Sequence, residues 1–153
     1  MLLKDEVDLL RKVPLFAQVE PAKLKLLAFT SSRMVFQPGQ ELFRQGDPGD
    51  AAYLIISGEA DVVAETPAGE VPVATVGQNA VVGEIAILCD VPRTATVRAG
   101  TRLETLKIEK EHFLRLLREL PNIAVEVMRE LADRLLKTTA ELSQARSQLR
   151  QAH

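Results

Sequence analysis

Apolar positions change their spacing twice along the chain. Leu3, Val7 and Leu10 recur at helical intervals within residues 2–11, with Leu2 and Leu9 beside them, which predicts a short amphipathic helix ended by Pro14. Glu20-Pro21 then opens a second helix, with Pro21 at a tolerated first-turn position and Leu24, Leu26, Leu27 and Phe29 to bury. From Ser32 the pattern shortens to β-prone runs at 34–36, 41–43, 52–56, 60–64 and 71–76. Turn signals separate them. Gln37-Pro38-Gly39-Gln40 and Asp47-Pro48-Gly49-Asp50 both place Pro before Gly, as a type II turn requires, and Ser57-Gly58, Pro67-Ala68-Gly69 and Gly77-Gln78-Asn79 continue the series. Tyr53-Leu54-Ile55-Ile56 is apolar on both faces and belongs in the middle of the body. Runs at 94–99 and 102–108 complete about eight strands.

Helical spacing returns at 109–120, where Phe113, Leu116, Leu117 and Leu120 share a side, and Pro121 marks a boundary. One long helix without Gly or further Pro follows. In heptads, Met128, Leu135, Leu142 and Leu149 fall at one core position and Leu131, Thr138 and Ala145 at the other, as in a two-stranded seam. A second band of Val125, Ala132, Leu136 and Thr139 is wide enough to lean on the β-body. The alternative is a single helix packing back on its own domain. The expected fold is α+β: an eight-stranded antiparallel, jelly-roll-like β-roll flanked by N-terminal helices and a long C-terminal helix. Residues 1–120 form the roll with its flanking helices, and 121–153 a helix for dimerisation and coupling.

Composition narrows the chemistry. The 153 residues suffice for one cored domain plus an appendage, and 19 basic against 21 acidic residues give no field for nucleic acid or an anionic membrane. Any anion must therefore be held by local geometry. No apolar run approaches the roughly 18 residues of a membrane span, and the charged first ten residues do not read as a signal peptide, so a cytoplasmic protein is expected. Cys89 is the single cysteine and the histidines are His112 and His153, so no metal cluster is expected. No nucleophile elbow or phosphate-cradling glycine loop with lysine is present, and no catalytic residues are assigned.

One stretch fits neither a loop nor a core strand: Gly83-Glu84-Ile85-Ala86-Ile87-Leu88-Cys89-Asp90-Val91-Pro92-Arg93-Thr94-Ala95-Thr96. Its glycine lets backbone approach a ligand, and the short apolar helix that follows offers free amides to an anion. Arg93 lies nine positions after Glu84, across a loop closed by Pro92, so its guanidinium can return to the helix start and grip a phosphate with two hydrogen bonds. Thr94 adds a hydroxyl and an amide. Glu84 would repel a phosphate placed on it and suits a neighbouring sugar hydroxyl. A phosphate and a ribose together satisfy the pattern. Each residue also has an ordinary reading: a dipole-favoured Glu, a surface Arg, strand threonines and a filler Cys89. Their combination at fixed spacing inside a β-roll favours the ligand.

This stretch resembles the phosphate-binding cassette of cyclic nucleotide-binding domains, found in cAMP receptor transcription factors, cyclic nucleotide-dependent kinases and nucleotide-gated channels. Phe36-Gln37-Pro38-Gly39-Gln40, Arg44-Gln45-Gly46-Asp47-Pro48-Gly49-Asp50 and Ser57-Gly58-Glu59-Ala60 resemble that family's hairpins, and the likeness runs from about Val13 to Leu142. The resemblance implies that Arg93 binds the cyclic phosphate and Glu84 the ribose 2′-hydroxyl. Gly83, Ile85 and Thr94 would add backbone or hydroxyl contacts, and Thr138 and Thr139 on the last helix would reach the adenine. No aromatic residue follows Phe113, so a base lid would be aliphatic, Leu135 or Leu142. Thr94 is similar to the residue of cGMP-preferring kinases, while many bacterial cAMP sites also carry a hydroxyl there. The expected ligand is cAMP, with cGMP the alternative, and no cofactor is expected.

The function expected is a non-catalytic sensor that dimerises through its last helix and signals to an unknown effector protein. Only Gln151-Ala152-His153 follow the heptads, which leaves no room for a DNA-binding domain in this chain. The competing expectation is a ligand-independent dimerisation or docking module with a vestigial nucleotide site.

Overall fold

The computed structural model describes residues 3–152, with side chains described over 5–151; Leu2 and the side chain of Leu3 lie outside this range. Helix α1 spans Leu3–Lys12 and buries Val7 and Leu10; a single 3-10 turn at Pro14–Phe16 follows. Helix α2, Pro21–Thr30, starts with its proline at the first position, where no intrahelical donor is lost. It buries Leu24, Leu27 and Ala28 but leaves Leu26 and Phe29 exposed. Four apolar residues within six positions cannot all share one face, and the buried side is the one carrying Leu24, Leu27 and Ala28.

Eight antiparallel strands then form two four-stranded sheets. These are β1 (Ser31–Phe36), β2 (Glu41–Phe43), β3 (Ala51–Ser57), β4 (Ala60–Thr66), β5 (Gly69–Val76), β6 (Val81–Val82), β7 (Thr96–Ala99) and β8 (Leu103–Glu109). One sheet has the order β1-β8-β3-β6 and the other β2-β7-β4-β5. Phe36, Leu42, Tyr53, Ile55, Ala60, Val82, Val97 and Leu103 belong to one buried cluster drawn from both sheets. Strand β3 is buried from Ala51 through Ile55 because neighbours flank it on both sides within its sheet. Pro72 sits in β5, an edge strand, where its missing donor breaks no internal ladder. Strand β6 is a two-residue piece, too short to show a period of two.

Two local expectations differ from what is found. The strand expected from Thr94 begins at Thr96, and Thr94 lies in an exposed connection. The turn expected at Pro48-Gly49 forms earlier: Gly46 has φ +92, and Asp47 N donates to Arg44 O at 3.0 Å. Gly49 serves packing instead. A Cβ there would sit 2.4 Å from Ala86 Cβ and 3.2 Å from Ala86 C. Helix backbone cannot yield cheaply, so Gly49→Ala is expected to destabilise the fold by about 1–3 kcal/mol, read by urea unfolding. An unchanged unfolding midpoint would show that the loop and helix separate freely.

By internal contacts the chain divides into two compact units, Met1–Leu116 and Leu117–His153, the division falling within α4 (Lys110–Glu119). In the first unit α4 buries Phe113 and Leu116. The second is dominated by α5, Pro121–Ala152, 32 residues long. On it Met128, Leu135, Leu136, Leu142 and Leu149 are all more than half exposed. No helix among the described residues is long and apolar enough to cross a membrane.

Candidate functional site

The site is built on the connection between β6 and β7. Gly83 leaves β6 in the left-handed region, φ +86, and turns the chain into α3, Glu84–Cys89. Asp90, also left-handed, ends α3, and Val91 N donates back to Ala86 O at 3.2 Å. The chain then reaches Arg93, whose backbone is clasped by the loop before β3. Arg93 N donates to Asp47 O and Gly46 N donates to Arg93 O, both at 2.8 Å. Nearby, the buried Thr96 hydroxyl accepts from Gln45 N at 2.9 Å.

This clasp leaves Arg93 only 3% exposed. Its guanidinium returns to the start of α3, where Nη1 donates to Gly83 O at 2.7 Å, and Nη2 donates to Ala51 O at 2.6 Å. The Phe43 ring lies under one face, its centroid 4.0 Å from Arg93 Cζ. Asp50 Oδ1 is 3.5 Å from Nη2, but the Asp50 side chain is 70% exposed. Burial pulls the Arg93 pKa below the ordinary arginine value, while Asp50, Tyr53 and Asp47 pull it back up; the group stays a cation. The Tyr53 phenol is pushed up, first by burial and then by Asp50. The Nε of Arg93 is buried and has no hydrogen-bond partner among the described residues.

Glu84 heads α3 and is 3% exposed, Ile85 is 37% exposed, and Thr94 is exposed just beyond Arg93. Gly83, Glu84, Ile85, Arg93 and Thr94 thus lie together on one short connection, with Gly83 and Arg93 in direct contact. Thr138 and Thr139 lie on α5, both exposed, in the second unit. Cys89 is exposed and unpaired. Sequence reasoning missed Phe43, Asp50 and the Ala51 carbonyl, whose only sequence signal is their place in the turn-rich stretch from the end of β2 to the start of β3. A buried arginine with a vacant donor, beside a glycine-capped helix start, is an anion-receiving arrangement. Among the described residues no group of three or more His, Cys, Asp or Glu could hold a metal.

A β-roll carrying such a connection between two strands can receive an anionic ligand. The chain belongs to the cyclic nucleotide-binding domain family, whose model matches residues 33–119. It is 38% identical over 74% of its length to the cAMP-dependent protein kinase regulatory subunit of Emericella nidulans, of which it spans 27%. Among solved structures, the catabolite activator protein of Thermus thermophilus is 32% identical with a TM-score of 0.73; 85% of this chain and 62% of that one are covered. The regulatory subunit of a cAMP-independent protein kinase A from Trypanosoma brucei is 25% identical with a TM-score of 0.76, covering 92% and 51%. This chain therefore corresponds to a part of each of these regulatory proteins.

Proposed function

We propose that this chain is a non-catalytic, cytoplasmic cyclic nucleotide sensor whose ligand is cAMP. In this reading Arg93 takes the cyclic phosphate and Glu84 the ribose 2′-hydroxyl, while Gly83, Ile85 and Thr94 supply backbone and hydroxyl contacts. Thr138 and Thr139 reach the adenine, with cGMP as the competing ligand. The observation that carries it is the Arg93 cation, 3% exposed, with a vacant Nε and the carboxylate of the exposed Asp50 at 3.5 Å. A buried donor left unbonded on a desolvated cation is costly, and an incoming phosphate offsets that cost with strong bonds. The likeness to a cAMP-dependent kinase subunit supports cAMP as the ligand.

Residues 121–153 then act as the dimerising and coupling segment toward an effector protein. Ligand drives that coupling only by its difference in affinity between two placements of the segment. Four large apolar side chains at one heptad position of α5, Met128, Leu135, Leu142 and Leu149, 52–66% exposed, support a homodimer seam. They also support the second reading, a dimerisation or docking module with a vestigial site, as does the likeness to a cAMP-independent kinase subunit.

Calorimetric titration with cAMP and cGMP tests the sensor. Heat of binding and a rise in melting temperature are expected, since nucleotide at a hundred times Kd adds about 2.7 kcal/mol of stability. The absence of both heat and thermal shift at millimolar nucleotide overturns it. Sedimentation separates the two readings, because a docking module is a dimer indifferent to nucleotide.

A further inference from the structure

The guanidinium of Arg93 is held by more than hydrogen bonds. Strand β2 pairs with β7 through Glu41↔Arg98 and Phe43↔Val97, so two steps along β2 match one along β7. This bulge breaks the alternation that would send Leu42 and Phe43 to opposite faces. Leu42 is buried in the core cluster, and Phe43 packs against the same cluster. The Phe43 ring lies 6.1 Å from the Tyr53 ring, with the Arg93 Cζ 4.0 Å from its centroid. Its edge also approaches Gly83, where an added Cβ would be 3.2 Å from Phe43 Cε2.

Three boundaries therefore define the plane of the Arg93 group: the Gly83 carbonyl, the Ala51 carbonyl and the Phe43 face. The carbonyls engage both terminal nitrogens, and the ring supplies a negative face to a desolvated cation. We propose that Phe43 is a positioning residue for anion recognition: its ring, turned inward by the β2 bulge, orients the Arg93 guanidinium so that the vacant Nε–H meets the ligand's phosphate. This rests on the nucleotide-sensing reading of the same site. A leucine at this position would fill much of the volume but leave the cation without its π face.

The test replaces Phe43 in the full chain with phenylalanines of increasing fluorination, which weaken the ring's negative face at nearly constant shape. The dissociation constant for cAMP is expected to rise stepwise, to about tenfold for the pentafluoro ring, with Phe43→Leu at least as weak and Phe43→Tyr near the parent. The melting temperature of the free fluorinated proteins should move by no more than about 2 °C, which separates positioning from loss of fold. A dissociation constant flat across the fluorine series overturns the proposal. A second arm needs no nucleotide: the NMR resonance of the Arg93 Nε–H, shifted by the ring current, should move when Phe43 becomes Leu. If the parent protein binds neither cAMP nor cGMP, the sensor reading fails and this arm alone decides. A resonance indifferent to Phe43 then overturns the placement of Arg93 by the ring, and a shifted one supports it.

Discussion

Arg93→Ala is expected to weaken cAMP binding about a hundredfold, on the order of 2–3 kcal/mol, as loss of a charge-assisted pair to phosphate should. The effect on folding is expected to be much smaller, because two consequences oppose each other. Gly83 O and Ala51 O lose their donor, at about 1 kcal/mol each. The protein is also relieved of a buried cation whose Nε has no partner among the described residues and whose carboxylate neighbour, the exposed Asp50, stands 3.5 Å away. The signature is therefore a large change in dissociation constant with a melting temperature shifted by only a few degrees. Arg93→Lys retains the charge but not the planar fork, so it cannot hold both carbonyls and a phosphate together, and an intermediate loss is expected. Calorimetry on the three proteins measures the series. An Arg93→Ala variant that binds cAMP as the parent does would place the phosphate elsewhere.

What was legible in the sequence was short in range. Gly83, Glu84 and Arg93 announce themselves because a glycine, a helix start and a returning arginine lie within one connection. The apolar run at 53–56 announces a central strand because nothing on it is polar enough to face water. The partners of Arg93 were not legible, since Phe43, Asp50 and Ala51 come from about forty to fifty residues earlier and only the closed roll brings them in. Phe43 needed one thing more, a bulge that no composition rule announces. Gly49 shows a related limit: Pro-Gly suggests a dihedral requirement, whereas its neighbour Ala86 imposes a steric one. Phe29 is 77% exposed because an apolar residue on a helix must be buried only if its own face meets the core. The heptad residues Met128, Leu135, Leu142 and Leu149 of α5 were plain in the sequence and lie exposed along the helix, but a pattern of leucines says nothing of which surface covers it.

Gly83→Ala is expected to approach the binding loss of Arg93→Ala even though it removes no ligand-binding group. An L-residue at φ +86 costs about 1–2 kcal/mol in backbone strain alone. The new Cβ would also lie 2.6 Å from Arg93 Nη1, 3.1 Å from Ala51 O and 3.2 Å from Phe43 Cε2. A flexible side chain usually swings away from such a contact, but this guanidinium is tied to two carbonyls and backed by a ring, and the ring sits on the core. The arginine must leave its cradle or the helix start must shift, and either change separates the cation from the site where α3 begins. The double variant tests this mechanism. With Arg93 already alanine the contact with its guanidinium disappears and only the approaches to Ala51 O and Phe43 Cε2 remain, so adding Gly83→Ala should cost stability, through strain and crowding, but little further affinity. Free-energy changes that add across the two positions would show that Gly83 serves the ligand directly and not through Arg93.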